Sequence, residues 1–134
     1  MSSQARHLHP LSTASAMKLL GDASFGRMVF SHQALPAVRL VSHVVDEDSV
    51  IIRTGVAVPP LHLVLTYEAD EIDSGTMLGW CVVVTGMAER VVDADEVTRY
   101  ERLLPPWPDC DTDQLLRVRA QFVDGYELLA GMAA

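Results

Sequence analysis

Arg39, Arg53 and Thr54 are the residues of this chain whose types and positions best suit ligand chemistry. Arg39 interrupts an otherwise apolar run, Pro36-Ala37-Val38-Arg39-Leu40-Val41-Ser42-His43-Val44-Val45-Asp46, and Arg53-Thr54 closes the next, Val50-Ile51-Ile52-Arg53-Thr54-Gly55. Hairpin-linked strands can carry all three to one end of a sheet. Two guanidinium forks and a hydroxyl would then face a ligand, a donor set that suits a phosphate. The plainer alternative is that both arginines are solvated strand residues paired with Asp or Glu. Ser42-His43 is no nucleophile–base pair, because neighbouring strand residues point to opposite faces. Neither a P-loop nor a dinucleotide fingerprint is present.

The other reactive side chains carry less. His7 and His9 lie in the N-terminal lead-in, and His32, His43 and His62 fall on separate segments without a carboxylate at a ligand-like interval, so no metal site is expected. Cys81 sits in an apolar stretch and reads as a small buried hydrophobe. Cys110 lies among acidic residues that would raise its pKa, and a disulfide between the two is not expected. Asp70, Glu71 and Asp73 read as a solvated acidic loop.

Bulk properties exclude some classes of function. The formal charge is −8, and Lys18 is the single lysine. Sequence-independent nucleic-acid binding needs clustered Lys and Arg, so it is excluded, and any anionic ligand must be held by a local group of donors. No apolar run approaches the roughly 20 residues of a membrane-spanning helix. Residues 1–7 lack the apolar stretch of a signal peptide, which leads us to expect a cytoplasmic protein. The length of 134 residues suits a single core.

These residues must be positioned by strands. Gly79-Trp80-Cys81-Val82-Val83-Val84-Thr85-Gly86-Met87-Ala88-Glu89 is rich in β-branched side chains, and Gly86 within it predicts a bulge or a close backbone approach. Further strands are expected over Gly26–His32, Ala37–Val45, Val50–Thr54, Leu63–Ala69 and Leu115–Val123. A hairpin falls at Asp46-Glu47-Asp48-Ser49, and Asp124-Gly125 reads as a turn. Ser12 and Thr13 can cap a short helix ending near Gly21, and Asp93 can cap a second through Leu103. Pro59-Pro60 break the pattern between strands, and Pro105-Pro106-Trp107-Pro108 ends the second helix. The expected organisation is a flexible segment over residues 1–10 and one domain over 11–134.

Together, the strand motifs and their order resemble the pyridoxamine 5'-phosphate oxidase-like proteins, the FMN-binding split-barrel group, over roughly Leu11 to Leu129. The resemblance implies a mainly β fold, a six-stranded antiparallel split β-barrel with two or three short flanking helices. It also implies a homodimer that binds FMN and passes hydride to or from a small-molecule substrate, and the bulk properties above leave neither nucleic acid nor membrane as an expected partner. Arg39, Val41, Ser42, His43, Arg53 and Thr54 match positions that line the cofactor in that group, and Trp80 matches a Gly-Trp at the cofactor cleft. Relatives carry a basic phosphate-binding residue in the segment equivalent to 55–62; here His62 is the candidate replacement, and a weaker one than lysine. That departure keeps a second reading open, a split barrel without flavin acting as a dimeric binding or scaffold module. A deazaflavin coenzyme, with its longer acidic tail, would want more basic residues than this chain offers.

Overall fold

The run of β-branched residues around Val82–Thr85 forms the axis of the molecule. In the computed structural model, which describes residues 5–55, 63–106, 108 and 113–131, it is strand β6 (Gly79–Arg90). Its side chains alternate, with Trp80, Val82, Val84 and Ala88 buried on one face. The remaining elements in chain order are β1 (Arg6–Pro10), α1 (Thr13–Asp22), β2 (Phe25–His32), β3 (Leu35–Asp46), β4 (Ser49–Thr54), β5 (Leu63–Ile72), α2 (Ala94–Leu103), β7 (Gln114–Arg119) and β8 (Phe122–Ala130). All strand pairings are antiparallel, and the order is β1-β8-β6-β5-β2-β3-β4-β7. An additional β6–β7 ladder joins Ala88–Arg90 to Leu116–Val118 and closes six strands into a barrel. The expected six-stranded split barrel with flanking helices is therefore the fold.

Closure depends on one glycine. β6 pairs with β8 along Gly79–Thr85, then changes partner and pairs with β7 along Ala88–Arg90. Gly86 stands at the change, where a Cβ would lie 1.7 Å from the Arg119 carbonyl oxygen. The same carbonyl accepts a hydrogen bond from Gln121 N, and the Gln121 side chain accepts one from Met87 N at 2.7 Å. A turn at Ala120-Gln121 thus nests on Gly86, the close approach that the sequence predicts.

That turn also divides the expected last strand. Leu115–Val123 is not one element: β7 stops at Arg119, and β8 starts at Phe122 and runs through Asp124-Gly125, which is strand and not turn. Gly125 serves helix packing, since a Cβ there would meet the Ala16 Cβ of α1 at 2.9 Å. The lead-in expected to be flexible contains β1, in register with β8 from Arg6↔Ala130 to Pro10↔Tyr126. All five of its residues are exposed, so it has no buried face to leave a periodic signal. The Pro59-Pro60 break lies outside the described residues, as do Trp107 and Cys110.

Two helices complete the core. Ser12 caps α1, accepting from Ser15 N, and Asp93 caps α2, accepting from Glu96 N. Ala16 and Leu20 of α1 enter the main core with Met28, Val41, Ile52, Tyr67, Trp80 and Val84. α2 covers the outside of β4 and β7, where Tyr100 and Leu104 pack on Ile51, Val91 and Leu115. With the barrel interior on one side and α2 on the other, all six residues of β4 are buried.

Gly86→Ala is expected to destabilise the protein by about 3 kcal/mol or more, because the clash is with backbone and the barrel seam must move. Chemical denaturation of the variant checks this. A loss below about 0.5 kcal/mol, the scale of an ordinary surface change, would mean that the seam has slack.

Candidate functional site

Along β3 the two ladders differ in extent. β3 pairs with β2 along its whole first part, Leu35–Ser42, but with β4 only over Ser42–Asp46. Among the described residues, the stretch 35–41 therefore has a partner on one side only. This is the split. It lies beside the end of β4, where Thr54 and Gly55 lead into residues 56–62.

Arg39 sits on that one-sided stretch. It is exposed, and its Nη1 donates to the neighbouring Val38 carbonyl at 2.9 Å. Across the ladder it faces Met28, which is fully buried, so Arg39 marks the point where the interior-facing row of β3 emerges into solvent. Val41, next on the same face, belongs to the main core at 1% exposure.

His43 follows on that face and is equally enclosed, at 2% exposure. Its Nε2 lies 2.7 Å from the Leu20 carbonyl oxygen at the end of α1. A carbonyl only accepts, so Nε2 carries the proton and Nδ1 must accept. The donor to Nδ1 is the Tyr67 hydroxyl, with the two rings edge-on at 4.9 Å. Burial pushes the His43 pKa down and the Tyr67 pKa up, so both neutral forms are favoured and the pattern of donors holds. Gly26 makes room, since a Cβ there would stand 2.4 Å from the Tyr67 hydroxyl oxygen. The pair ties α1 to the barrel wall.

Arg53 and Ser42 face the other way. They are partners across β3–β4, both buried, on the outer side of the barrel that α2 covers. Arg53 Nε and Nη2 hold the Asp113 carboxylate at 2.8 and 2.6 Å, and Nη1 donates to the Leu104 carbonyl oxygen at 2.6 Å. Longer contacts of 3.4 Å reach the Glu101 carbonyl and carboxylate. The cation thus closes the carbonyl end of α2, where helix polarity favours positive charge. The Asp113 hydrogen bonds hold the Arg53 pKa above its ordinary value, and Arg53 in turn holds Asp113 below the usual carboxylate range.

Thr54 is buried on the inner side, with 1% exposure. Trp80 is a core residue that also lines a surface hollow together with Glu71, Ile72, Asp73 and Leu78. His62 lies outside the described residues. The eight sequence candidates therefore divide: Arg39 and Thr54 flank the split, Val41, His43 and Trp80 fill the interior, and Ser42 and Arg53 lie under α2. Cys81, expected to be a buried hydrophobe, is only half-buried because it lies on the outward row of β6; its pKa is pushed up to about 11 by burial and by Glu68. No cluster of metal-ligating side chains occurs among the described residues. No helix among them is long and apolar enough to cross a membrane.

Sequence reasoning missed Tyr67 and Asp113. Tyr67 carried a signal: it occupies an inward position of an alternating strand, where its hydroxyl requires a buried partner. Asp113 carried none, since its pairing with Arg53 spans 60 positions.

An anionic group of a flavin needs open donors. Arg53 has its donors engaged by its own chain, and both ring nitrogens of His43 are satisfied. Arg39 presents its guanidinium to solvent at the split, and this is the residue that fits an anionic ligand group as the structure stands.

Comparison with known proteins agrees with this architecture. A model of the pyridoxamine 5'-phosphate oxidase family matches residues 12–127, and the chain belongs to that family. An uncharacterized protein of Mycobacterium tuberculosis is 40% identical over 135 residues, covering 94% of this chain and 89% of its own. A solved Corynebacterium glutamicum structure, provisionally assigned as a pyridoxamine 5'-phosphate oxidase, superposes with TM-score 0.76 at 28% identity, over 98% of this chain and 99% of that one. The FAD-binding protein of Mycobacterium smegmatis shares the fold, with TM-score 0.67 at 23% identity over 91% and 98%.

The pH dependence of stability follows from His43. Its folded pKa is depressed, so the unfolded chain binds a proton first as pH falls from about 6.5, the ordinary histidine value. The contribution is fully present above that value and is lost progressively as pH drops toward the folded pKa. Melting temperature should therefore decline between pH 7 and 5, and His43→Gln should flatten that part of the slope. An unchanged slope in the variant would remove His43 as its source.

Proposed function

We propose that this chain is a flavin-binding oxidoreductase that acts as a homodimer and passes a hydride between bound FMN and a small organic substrate. The observation that carries the reading is Arg39, an exposed guanidinium on the stretch of β3 that has one ladder partner among the described residues, two positions before the buried Val41 of the same row. Membership of the pyridoxamine 5'-phosphate oxidase family supports a flavin-type ligand. The M. smegmatis protein supports the capacity of this fold to hold one. In this reading Arg39 holds the anionic end of the flavin, Thr54 and His62 border it, and the fold shields the ring from water. The flavin supplies the redox chemistry when bound. FMN, with one phosphate, matches a chain with few basic residues better than a deazaflavin with a longer acidic tail.

A dimer is supported by the outer face of the sheet. Register aligns Val38, Val29, Thr66, Thr85 and Phe122 in one row across β3, β2, β5, β6 and β8. Val38 and Phe122 are 53% and 72% exposed, and Phe25, Leu40 and Val64 add apolar surface nearby. The next row carries Arg27 paired with Glu68 and Asp70. A wide apolar face of this kind marks an interaction surface. Its two-fold self-association would set two splits at symmetric positions.

One observation favours the second reading, a flavin-free binding module: the engagement of Arg53 by Asp113 and Leu104. Titration decides between them. FMN fluorescence should be quenched saturably, at one flavin per chain of a particle that sediments as a dimer. Arg39→Ala should weaken binding by about 1–3 kcal/mol, the scale of a charge-assisted hydrogen bond. Equal affinity in the variant would take Arg39 out of the site, and absence of quenching by the parent chain would favour the flavin-free module.

A further inference from the structure

The outer face of the sheet is self-complementary about one line. Six strands run side by side in the order β1-β8-β6-β5-β2-β3, so the β5–β6 ladder lies at the middle. Register puts Arg27 of β2, Glu68 of β5, Val83 of β6 and Asp124 of β8 on one row, and Val29, Thr66, Thr85 and Phe122 of the same strands on the next. Consider a second copy packed face to face, with the two-fold axis along the strands between β5 and β6. Strand β2 then lies opposite the partner's β8, and β5 opposite the partner's β6. Arg27 meets the partner's Asp124, Val29 meets the partner's Phe122, and Thr66 meets the partner's Thr85.

Each group suits its opposite. The bonds of Arg27 to Glu68 Oε1 at 2.8 Å and Asp70 Oδ2 at 3.0 Å both come from Nη1, which among the described residues leaves Nε and Nη2 available. Asp124 is exposed and takes the Tyr126 hydroxyl on Oδ2 at 2.7 Å, so Oδ1 can accept from the partner. At the centre, the Thr66 and Thr85 hydroxyls bond each other at 3.0 Å and can lose water without stranding a polar group. Neighbouring axes fit worse. An axis on β5 sets Glu68 against its own copy, and one on β6 sets it against the partner's Asp124, so both oppose like charges. An axis between β5 and β2 drives the partner's β8 against β4, whose outer side α2 already covers. An axis between β6 and β8 leaves Arg27 without an opposing acid and Val38 and Leu40 uncovered.

We propose that two copies associate through this face in that one register, held by reciprocal ion pairs between Arg27 and the partner's Asp124. The proposal rests on the dimer reading above and adds its geometry.

Cross-linking reads the register. Val29→Cys and Phe122→Cys are combined in a chain carrying Cys81→Ala and Cys110→Ser. Within one chain the two positions are three strand spacings apart, about 14 Å, too far for an internal disulfide. Mild oxidation should therefore give a covalent dimer, while each single variant stays uncrosslinked. Val38→Cys with Phe122→Cys, the pair that an axis on β5 would bring together, should stay uncrosslinked too. Sedimentation equilibrium of the unsubstituted chain supplies the reference. Asp124→Asn should raise the dimer dissociation constant at least about tenfold, since each dimer loses two charge-assisted pairs. Asp95→Asn, an exposed change on α2 away from this face, should match the unsubstituted chain. If the unsubstituted chain sediments as a monomer, the dimer reading and the register fail together. If it is a dimer in which the Val29/Phe122 pair links no better than the Val38/Phe122 pair, or one that Asp124→Asn leaves equally tight, the proposal is overturned and the dimer stands.

Discussion

The structure depends on the change of partner along β6 at Gly86. Up to Thr85 the strand is paired with β8; from Ala88 it is paired with β7, and only that second ladder closes the barrel. No side chain can stand where β6 meets the Arg119 carbonyl, so closure requires glycine at this point. Once the seam is fixed there, β4 lies between β3 and β7, and its inner residues Ile52 and Thr54 are committed to the interior. Among the described residues, β3 then has a second neighbour only from Ser42 onward.

The same geometry separates three residues that look alike on paper. Arg39, His43 and Arg53 are polar interruptions in apolar strands, yet they do three different jobs. His43 is held between Leu20 and Tyr67 inside the barrel and connects α1 to the wall. Arg53 points outward, where α2 covers it, and neutralises Asp113 while capping the helix end. Arg39 comes two positions before the covered part of its row, and reaches water. Burial and strand parity, rather than residue type, decide which of them can meet a ligand.

Much of the fold was legible because its signals are local. β-branched runs marked β4 and β6, Ser12 and Asp93 capped helices as their types suggest, and Gly86 announced a close approach. The family resemblance supplied the closure that local pattern cannot. What was not legible depends on contacts distant in sequence. β1 has no buried face, and the break between β7 and β8 is set by Asp48 and Met87, which bond Ala120 N and the Gln121 side chain. Asp124-Gly125 has the composition of a turn, but its glycine answers to Ala16 of a helix. For the site, alternation correctly put Val41 and His43 on one face with Arg39. It could not say that this face is core for two of them and mouth for the third.

The account stands or falls on where a flavin meets the chain. Hydrogen exchange of the backbone, with and without saturating FMN, reads this directly, because the first part of β3 lacks a second ladder among the described residues. FMN bound beside Arg39 is expected to slow exchange in residues 35–41 and 54–55. Slowing confined to the exposed hollow around Glu71, Asp73 and Leu78, or no slowing anywhere, would contradict it.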